Sequence, residues 1–122
     1  MSRLSNRIIS TERAVKIPLL DAIISRNKLT DYLLRSREKD DKSGFLATVG
    51  FTQDNPDALE AAIRSATASA EAVLDRQNLF GTFYLVRQRL IGPNGRELRV
   101  IIVWQKRIDE SYSFVTLYPD KE

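Results

Sequence analysis

Apolar residues change their spacing along the chain near residue 80. From Asn55 to Gln77 they recur every three or four positions, as they do along one side of a helix. From Phe80 onwards apolar and polar residues alternate, which is typical of strands with one buried side. The pattern therefore predicts an α+β domain, in which N-terminal helices pack on one face of a C-terminal antiparallel β-meander of at least three strands.

Three helices are predicted ahead of the meander. Two of them are short, over residues 28–34 and 42–50, and Gly50 is a suitable residue to close the second. The longest is predicted over Asn55–Gln77, because Asn55 is a favourable N-cap residue and a proline follows it at the first helical position. The spacing of its alanines indicates that this helix lies close to whatever covers it.

The beginning of the chain carries weaker signals. Residues 1–17 are predicted to form a loose N-terminal arm, and residues 18–122 a single domain. Residues 18–24 are apolar, but the pattern leaves open whether they form a helix or a strand. No apolar run approaches the roughly 20 residues of a membrane helix, and no apolar segment follows the basic start as in a secretory signal. We therefore expect a cytoplasmic protein that makes no membrane contact.

A turn fixes the register of the first two predicted strands, Phe80–Ile91 and Arg96–Gln105. The sequence Gly92-Pro-Asn-Gly95 suits a type I turn that ends on a glycine with positive φ. One face of the hairpin then carries mostly apolar residues: Tyr84, Val86, Gln88, Leu90, Leu98, Val100, Ile102 and Trp104. The other face carries Phe83, Leu85, Arg87, Arg89, Arg99, Ile101 and Val103. The register of the third strand, Ser113–Tyr118, stays open by one residue.

Composition excludes several classes of chemistry. The chain has no cysteine and no histidine, which excludes thiol nucleophiles, disulfides, Ser–His pairs and histidine-ligated metals. No spaced acidic signature of a calcium-binding loop is present, so we predict neither a metal nor a cofactor. Any catalysis must then rely on Lys, Arg, Tyr, Ser, Thr or a carboxylate. Arginine outnumbers lysine 13 to 6, which suits contact with phosphate or carboxylate groups, although arginine excess also follows genome composition.

Several fragments, in order along most of the domain, resemble a family of bacterial domains of unknown function. Members occur as small free-standing proteins and as C-terminal tips of polymorphic toxins. The fragments are Lys28-Leu-Thr-Asp-Tyr-Leu-Leu34, Asp41-Lys-Ser-Gly-Phe-Leu46, Gly50-Phe51, Phe80-Gly-Thr-Phe-Tyr84, Gly92-Pro-Asn-Gly-Arg96, Val103-Trp104 and Phe114-Val-Thr-Leu-Tyr-Pro119.

That family is similar to the barnase–EndoU–colicin–RelE group of ribonuclease toxins. The resemblance implies metal-independent cleavage of RNA and a small antitoxin or immunity protein as partner. Because this chain lacks histidine, its likeness is to the RelE-like members, which often rely on Lys, Arg and Tyr. A different class of function fits the same sheet, namely a non-catalytic module that binds a protein. The sequence does not indicate an oligomeric state.

Cleavage of RNA at the 2′-hydroxyl needs a proton acceptor, a proton donor and positive charge near the phosphorus. We predict Lys42, at the start of the second short helix, as the group that stabilises phosphate. Thr116 and Tyr118 are predicted to orient phosphate or to donate a proton. Each also has a simpler interpretation, since exposed lysines are common and Thr and Tyr favour strands.

We predict RNA contacts for Arg87, Arg89 and Arg99, which the hairpin register gathers on one face, and for Lys106 and Trp104 near the end of the second strand. The arginines are equally consistent with an exposed face paired to acids such as Glu97. Core packing is the stronger interpretation of Trp104, because large aromatic residues dominate buried surfaces.

Overall fold

The computed structural model describes residues 13–36 and 42–121. In chain order the elements are β1 (Ala14–Val15), a π-helical turn (Lys28–Leu33), α1 (Ser43–Ala47), α2 (Pro56–Ala68), β2 (Ala72–Asn78), β3 (Gly81–Ile91), β4 (Glu97–Arg107) and β5 (Tyr112–Pro119). The five strands form one sheet in the order β1-β2-β3-β4-β5, and every neighbouring pair is antiparallel. The α+β prediction with a C-terminal meander is confirmed.

The helices cover one side of the sheet, called here the inner face. The register predicted for the hairpin is observed, with Tyr84 opposite Trp104 and Leu90 opposite Leu98. Apolar side chains from the helical segments pack onto this face, and the core residues with no exposed surface include Leu29, Leu33, Leu46, Leu59, Ile63, Val86, Leu90, Val100, Ile102, Trp104 and Leu117. The opposite side of the sheet, the outer face, carries the arginines.

The longest helix is shorter than its sequence predicts. It ends at Ala68, and the segment predicted as its last turns forms β2 instead. Alanine and glutamate in that segment favour a helix, but Val73 and Leu74 pair with β3 opposite Leu85 and Tyr84. Strand pairing on both edges of β2 therefore outweighs the local preference. The prediction of a helix as far as Gln77 was wrong.

Part of the predicted N-terminal arm also belongs to the sheet. Ala14 pairs with Val73 and Val15 with Ala72, and Ile17 is buried in the core. Residues 14–17 are therefore not part of a loose arm. The rest of the predicted arm, residues 1–12, lies outside the residues that the structure describes. The undecided segment 18–24 forms a turn, after which Ile23 makes one isolated bridge to β5.

The turn between β3 and β4 follows its prediction and is anchored on the segment that follows α1. Gly95 has φ of 84°, and the Gly92 amide donates to the Arg96 carbonyl at 2.8 Å. Gly92 packs so closely on Val49 that a Cβ there would lie 2.0 Å from the Val49 carbonyl oxygen. The Asn94 amide also donates to that oxygen at 3.3 Å. These contacts connect the hairpin to the helical layer.

A β-bulge settles the register of β5, which the sequence left open. Thr116 pairs with Val103 and Phe114 pairs with Trp104, so Val115 is an extra residue that has no partner in β4. Phe114 and Leu117 are both buried in the core. Val115 and Thr116 consequently lie on the side of the outer face.

Candidate functional site on the outer face of β5

Lys42 and Thr116, two of the predicted catalytic residues, meet at the β5 edge of the sheet. Lys42 immediately precedes α1, and its ammonium donates to the Thr116 hydroxyl at 3.0 Å. The same ammonium lies 3.5 Å from the Tyr32 hydroxyl and 5.3 Å from the centre of the Tyr32 ring. Buried leucines in the π-helical turn and in α1 hold both helical segments against the sheet. A cation and two hydroxyl groups are thus placed beside β5 on a rigid base.

A second lysine reaches the same strand nearby. The Lys28 ammonium donates to the Phe114 carbonyl at 2.8 Å, two residues before Thr116. Burial lowers the pKa of Lys28 below its ordinary value, and the positive charge of Arg107 lowers it further. The residue-by-residue prediction did not include Lys28. Its spacing of four from Tyr32 was the available signal, because residues four apart share one side of a helix.

Tyr118, the third predicted catalytic residue, lies on the outer face in the next row. It pairs with Ile101, which in turn pairs with Arg87 on β3. Residues two apart on a strand are separated by about 7 Å, so Tyr118 and Thr116 are neighbours along β5. The strand therefore presents the two hydroxyl-bearing residues on one side.

The three predicted arginines are gathered where the register places them. Arg87, Arg89 and Arg99 line a shallow depression of about 420 Å³ on the outer face, together with Asp120. Arg87 contacts the Asp120 carboxylate at 3.2 Å, and Arg89 contacts Glu97 at 3.5 Å. The Arg89–Glu97 pair is exposed on both sides and of small energetic value, so a polyanion competes readily for Arg89. The Asp120 side chain is only 8% exposed, so its ion pair with Arg87 is screened less by water.

Two predicted RNA-binding residues lie elsewhere. Trp104 has no exposed surface, its indole N–H donates to the Thr67 hydroxyl at 3.1 Å, and its ring meets Phe114 edge-on. It cannot stack on a base, and that prediction was wrong. Lys106 pairs with Thr82 and Tyr112, and it alternates with the outer-face residues of β4. It therefore does not join the arginine depression.

Within residues 13–36 and 42–121, no three acidic side chains come close enough together to hold a metal ion. None of the helices in this part of the chain has the length and apolarity needed to cross a membrane.

The fold is shared with a known complex. The chain superposes on one chain of a contact-dependent growth inhibition toxin–immunity protein complex from Klebsiella pneumoniae 342, with a TM-score of 0.58 and 19% sequence identity. The match covers 80% of this chain and 98% of the other. No functionally curated protein matches the sequence. Residues 18–121 match the model of a domain of unknown function, DUF6883, as the resemblance to such a family leads one to expect. The chain therefore belongs to the DUF6883 family.

Proposed function

We propose that this chain is a toxin-like ribonuclease that cleaves RNA without a metal and is blocked by a small immunity or antitoxin protein. The observation that carries the proposal is the contact of Lys42 with Thr116, beside Lys28, on the outer face of β5. Cations and hydroxyl groups are the residue types that phosphodiester cleavage requires when histidine is absent.

The proposed reaction uses a nucleophile that the RNA itself supplies. The 2′-oxygen forms a bond to the adjacent phosphorus, and the bond from phosphorus to the 5′-oxygen breaks. The products are a 2′,3′-cyclic phosphate and a free 5′-hydroxyl group. The 2′-proton passes to a base, and the leaving oxygen receives a proton from an acid. The protein therefore has to accept one proton, donate one proton and stabilise the charged phosphorane.

Each of these tasks has a candidate residue. Lys42 stabilises the negative phosphorane, and Thr116 fixes the position of its ammonium. Lys28 is the proton acceptor in its neutral form, which its lowered pKa makes more accessible than in an ordinary lysine. Tyr118 donates a proton to the leaving oxygen. Arg87 and Arg99 hold the flanking phosphates on the same face.

The comparisons support a role in a toxin system. The known complex that shares the fold joins a toxin to an immunity protein, and the sequence resembles domains found at the tips of polymorphic toxins. A ribonuclease of this kind endangers the cell that makes it, so we propose a protein partner that covers the outer face. RNA and that partner would compete for one surface.

A second function has an observation in its favour. Arg87 and Arg89 are both already paired with carboxylates, as expected for a surface that is not built to bind RNA. In that case the chain is a non-catalytic binding module, with the role of an immunity protein instead of a toxin. The neighbouring structure is compatible with this role because its complex contains both kinds of protein.

RNA cleavage by the purified chain in EDTA separates the two functions. We expect cleavage to products with a 2′,3′-cyclic phosphate, and slower growth of bacteria that express the chain. Lys42→Gln should reduce the cleavage rate by about 100-fold to 1,000-fold, as loss of an oriented charge does in other enzymes. Lys16→Gln is the matched control, since Lys16 is exposed and lies next to β1 at the opposite edge of the sheet. Intact RNA and normal growth would overturn the ribonuclease proposal.

The arginine depression calls for a separate binding measurement. Replacing Arg87 and Arg99 by Gln should weaken RNA binding and flatten its salt dependence by about one unit of slope for each lost phosphate contact. Arg96→Gln, in the exposed β3–β4 turn, should leave the slope unchanged. Equal slopes for both variants would remove the arginines from the RNA-binding surface.

A further inference from the structure

A second concavity lies on the outer face at the end of the sheet opposite the arginine depression. It occupies about 790 Å³ between the β2–β3 turn and the β4–β5 turn. This size is within the usual range for a small-molecule site. Its lining is apolar with two cations, and the residues that matter are Phe80, Phe83, Ile108, Val115, Lys28 and Arg107. We refer to it as the distal groove.

Phe80 is an exposed aromatic residue on a firmly held turn. Its side chain is 70% exposed, but its amide donates to the Asn78 side chain at 2.8 Å and its carbonyl accepts from Gln105 at 2.8 Å. Gly81, which follows, has φ of 139°, and a Cβ at that position would lie 2.2 Å from the Lys106 carbonyl oxygen. The turn therefore presents a large apolar ring to solvent on a backbone that these contacts hold in place. Leaving such a ring exposed forgoes the stabilisation of its burial.

The two cations of the groove are held near each other without a close acidic partner. Among the described residues, neither Lys28 nor Arg107 has a carboxylate within 4.0 Å. Asp109 also lines the groove and feels the positive charge of Arg107, but its carboxylate is turned to Ser111, from whose amide it accepts at 3.0 Å and from whose hydroxyl it accepts at 2.6 Å. The positive charge of Arg107 beside an apolar floor favours an anion with a flat apolar part. A nucleotide has this chemistry.

We propose that the distal groove binds one nucleotide of single-stranded RNA, with its base stacked on Phe80 and its phosphate held by Arg107. The choice of RNA as the ligand rests on the proposed function. The groove adjoins that site, because Val115 lines the groove and Thr116 is the next residue of β5. Lys28 belongs to both, since it lines the groove and contacts Phe114. The nucleotide in the groove is therefore a neighbour of the one that is cleaved.

The test uses a fluorescein-labelled hexanucleotide with 2′-O-methyl groups, which binds without being cut because its attacking hydroxyls are blocked. Fluorescence anisotropy measures its dissociation constant at low salt. Phe80→Ala should weaken binding by about fivefold to 150-fold, the usual effect of losing one stacked base, and Phe80→Trp should restore it. Leu79→Ala is the control, since Leu79 is 85% exposed in the same turn and does not line the groove. Arg107→Gln should lower the slope of binding against salt by about one.

The outcomes separate this proposal from the proposed function. Equal losses for Phe80→Ala and Leu79→Ala, or no binding by the intact chain, would overturn the nucleotide site and leave the groove to a protein partner. Binding that depends on Phe80, in a chain that never cuts unmodified RNA, would support the groove and remove the ribonuclease. Cleavage of unmodified RNA, with binding that does not depend on Phe80, would support the ribonuclease and remove the nucleotide site.

Discussion

The hydrogen bond between Trp104 and Thr67 allows a direct measurement of how the helical layer is attached to the sheet. The indole N–H donates to the threonine hydroxyl at 3.1 Å, and the two residues are 0% and 1% exposed. Thr67→Val replaces the hydroxyl by a methyl group of nearly the same shape. The substitution therefore creates no cavity, but it leaves the buried indole N–H without this acceptor.

The expected cost follows from that unpaired donor. Leaving a buried polar group unsatisfied costs about 1–3 kcal/mol. For a chain of 122 residues, an unfolding entropy of about 2.1 cal/mol/K per residue amounts to about 0.26 kcal/mol/K. Dividing the first quantity by the second gives a decrease in Tm of about 4–12 °C. A hydrogen bond on the surface would give much less, because water replaces the lost partner.

The single tryptophan of the chain is also the reporter, since it moves from a dry site to water when the protein unfolds. Urea and thermal unfolding followed by its fluorescence give the free energy and Tm. Thr48→Val is the control, because Thr48 donates to the Phe45 carbonyl on the exposed surface. Trp104→Phe removes this reporter, so its unfolding is followed by circular dichroism; it should cost less in the Thr67→Val background than in the native chain, because one partner is already lost. If Thr67→Val matches Thr48→Val in stability, the buried hydrogen bond does not hold the two layers together.

Two further predictions concern the turn and the proton acceptor. Gly95→Ala should destabilise the fold by about 1–2 kcal/mol, because Gly95 has φ of 84°. Gly44 lies in α1, and a Cβ there would meet no atom within 4 Å, as at Gly95. Gly44→Ala should therefore stabilise the fold by about 0.4–1 kcal/mol, and a change in stability of the same sign for both variants would contradict the turn geometry. The pKa of Lys28 is lowered from the ordinary lysine value of 10.5, so its neutral form becomes the main form at a lower pH than usual. If Lys28 is the proton acceptor, the cleavage rate should therefore rise with pH and level off below pH 10.5. Lys28→Arg stays charged and should remove this rise, whereas an unchanged pH profile would exclude Lys28 from the reaction.

The features that local chemistry determines were the ones the sequence predicted correctly. The turn Gly92–Gly95 specifies its own geometry, and a hairpin turn fixes the partner of every later residue in both strands. Thus Tyr84 opposite Trp104 and the gathering of the three arginines followed from four residues. Placement of Lys42 ahead of α1 followed in the same way, from the apolar segment behind it and the glycine that closes it.

The features that depend on distant partners could not be predicted in this way. The end of α2 is set by pairing of Ala72–Asn78 with β1 and β3, and nothing within that segment indicates a strand more strongly than a helix. Lys28 reaches Phe114, 86 residues away in the sequence, only because the π-helical turn packs beside β5. The exposure of Phe80 likewise contradicts the expectation that such a residue is buried.

The bulge at Val115 connects the core to the proposed site. In a regular strand Phe114 and Leu117 would point to opposite faces, because successive side chains alternate. If Phe114 kept its place in the core, Leu117 would leave the core and Thr116 would face inward. The extra residue changes the phase of the strand, so that both apolar residues are buried while Thr116 joins the outer face, where Lys42 meets it. Burial of two large apolar side chains therefore stabilises the same irregularity that places the hydroxyl beside the cation. The proposed site therefore depends on the core for its geometry.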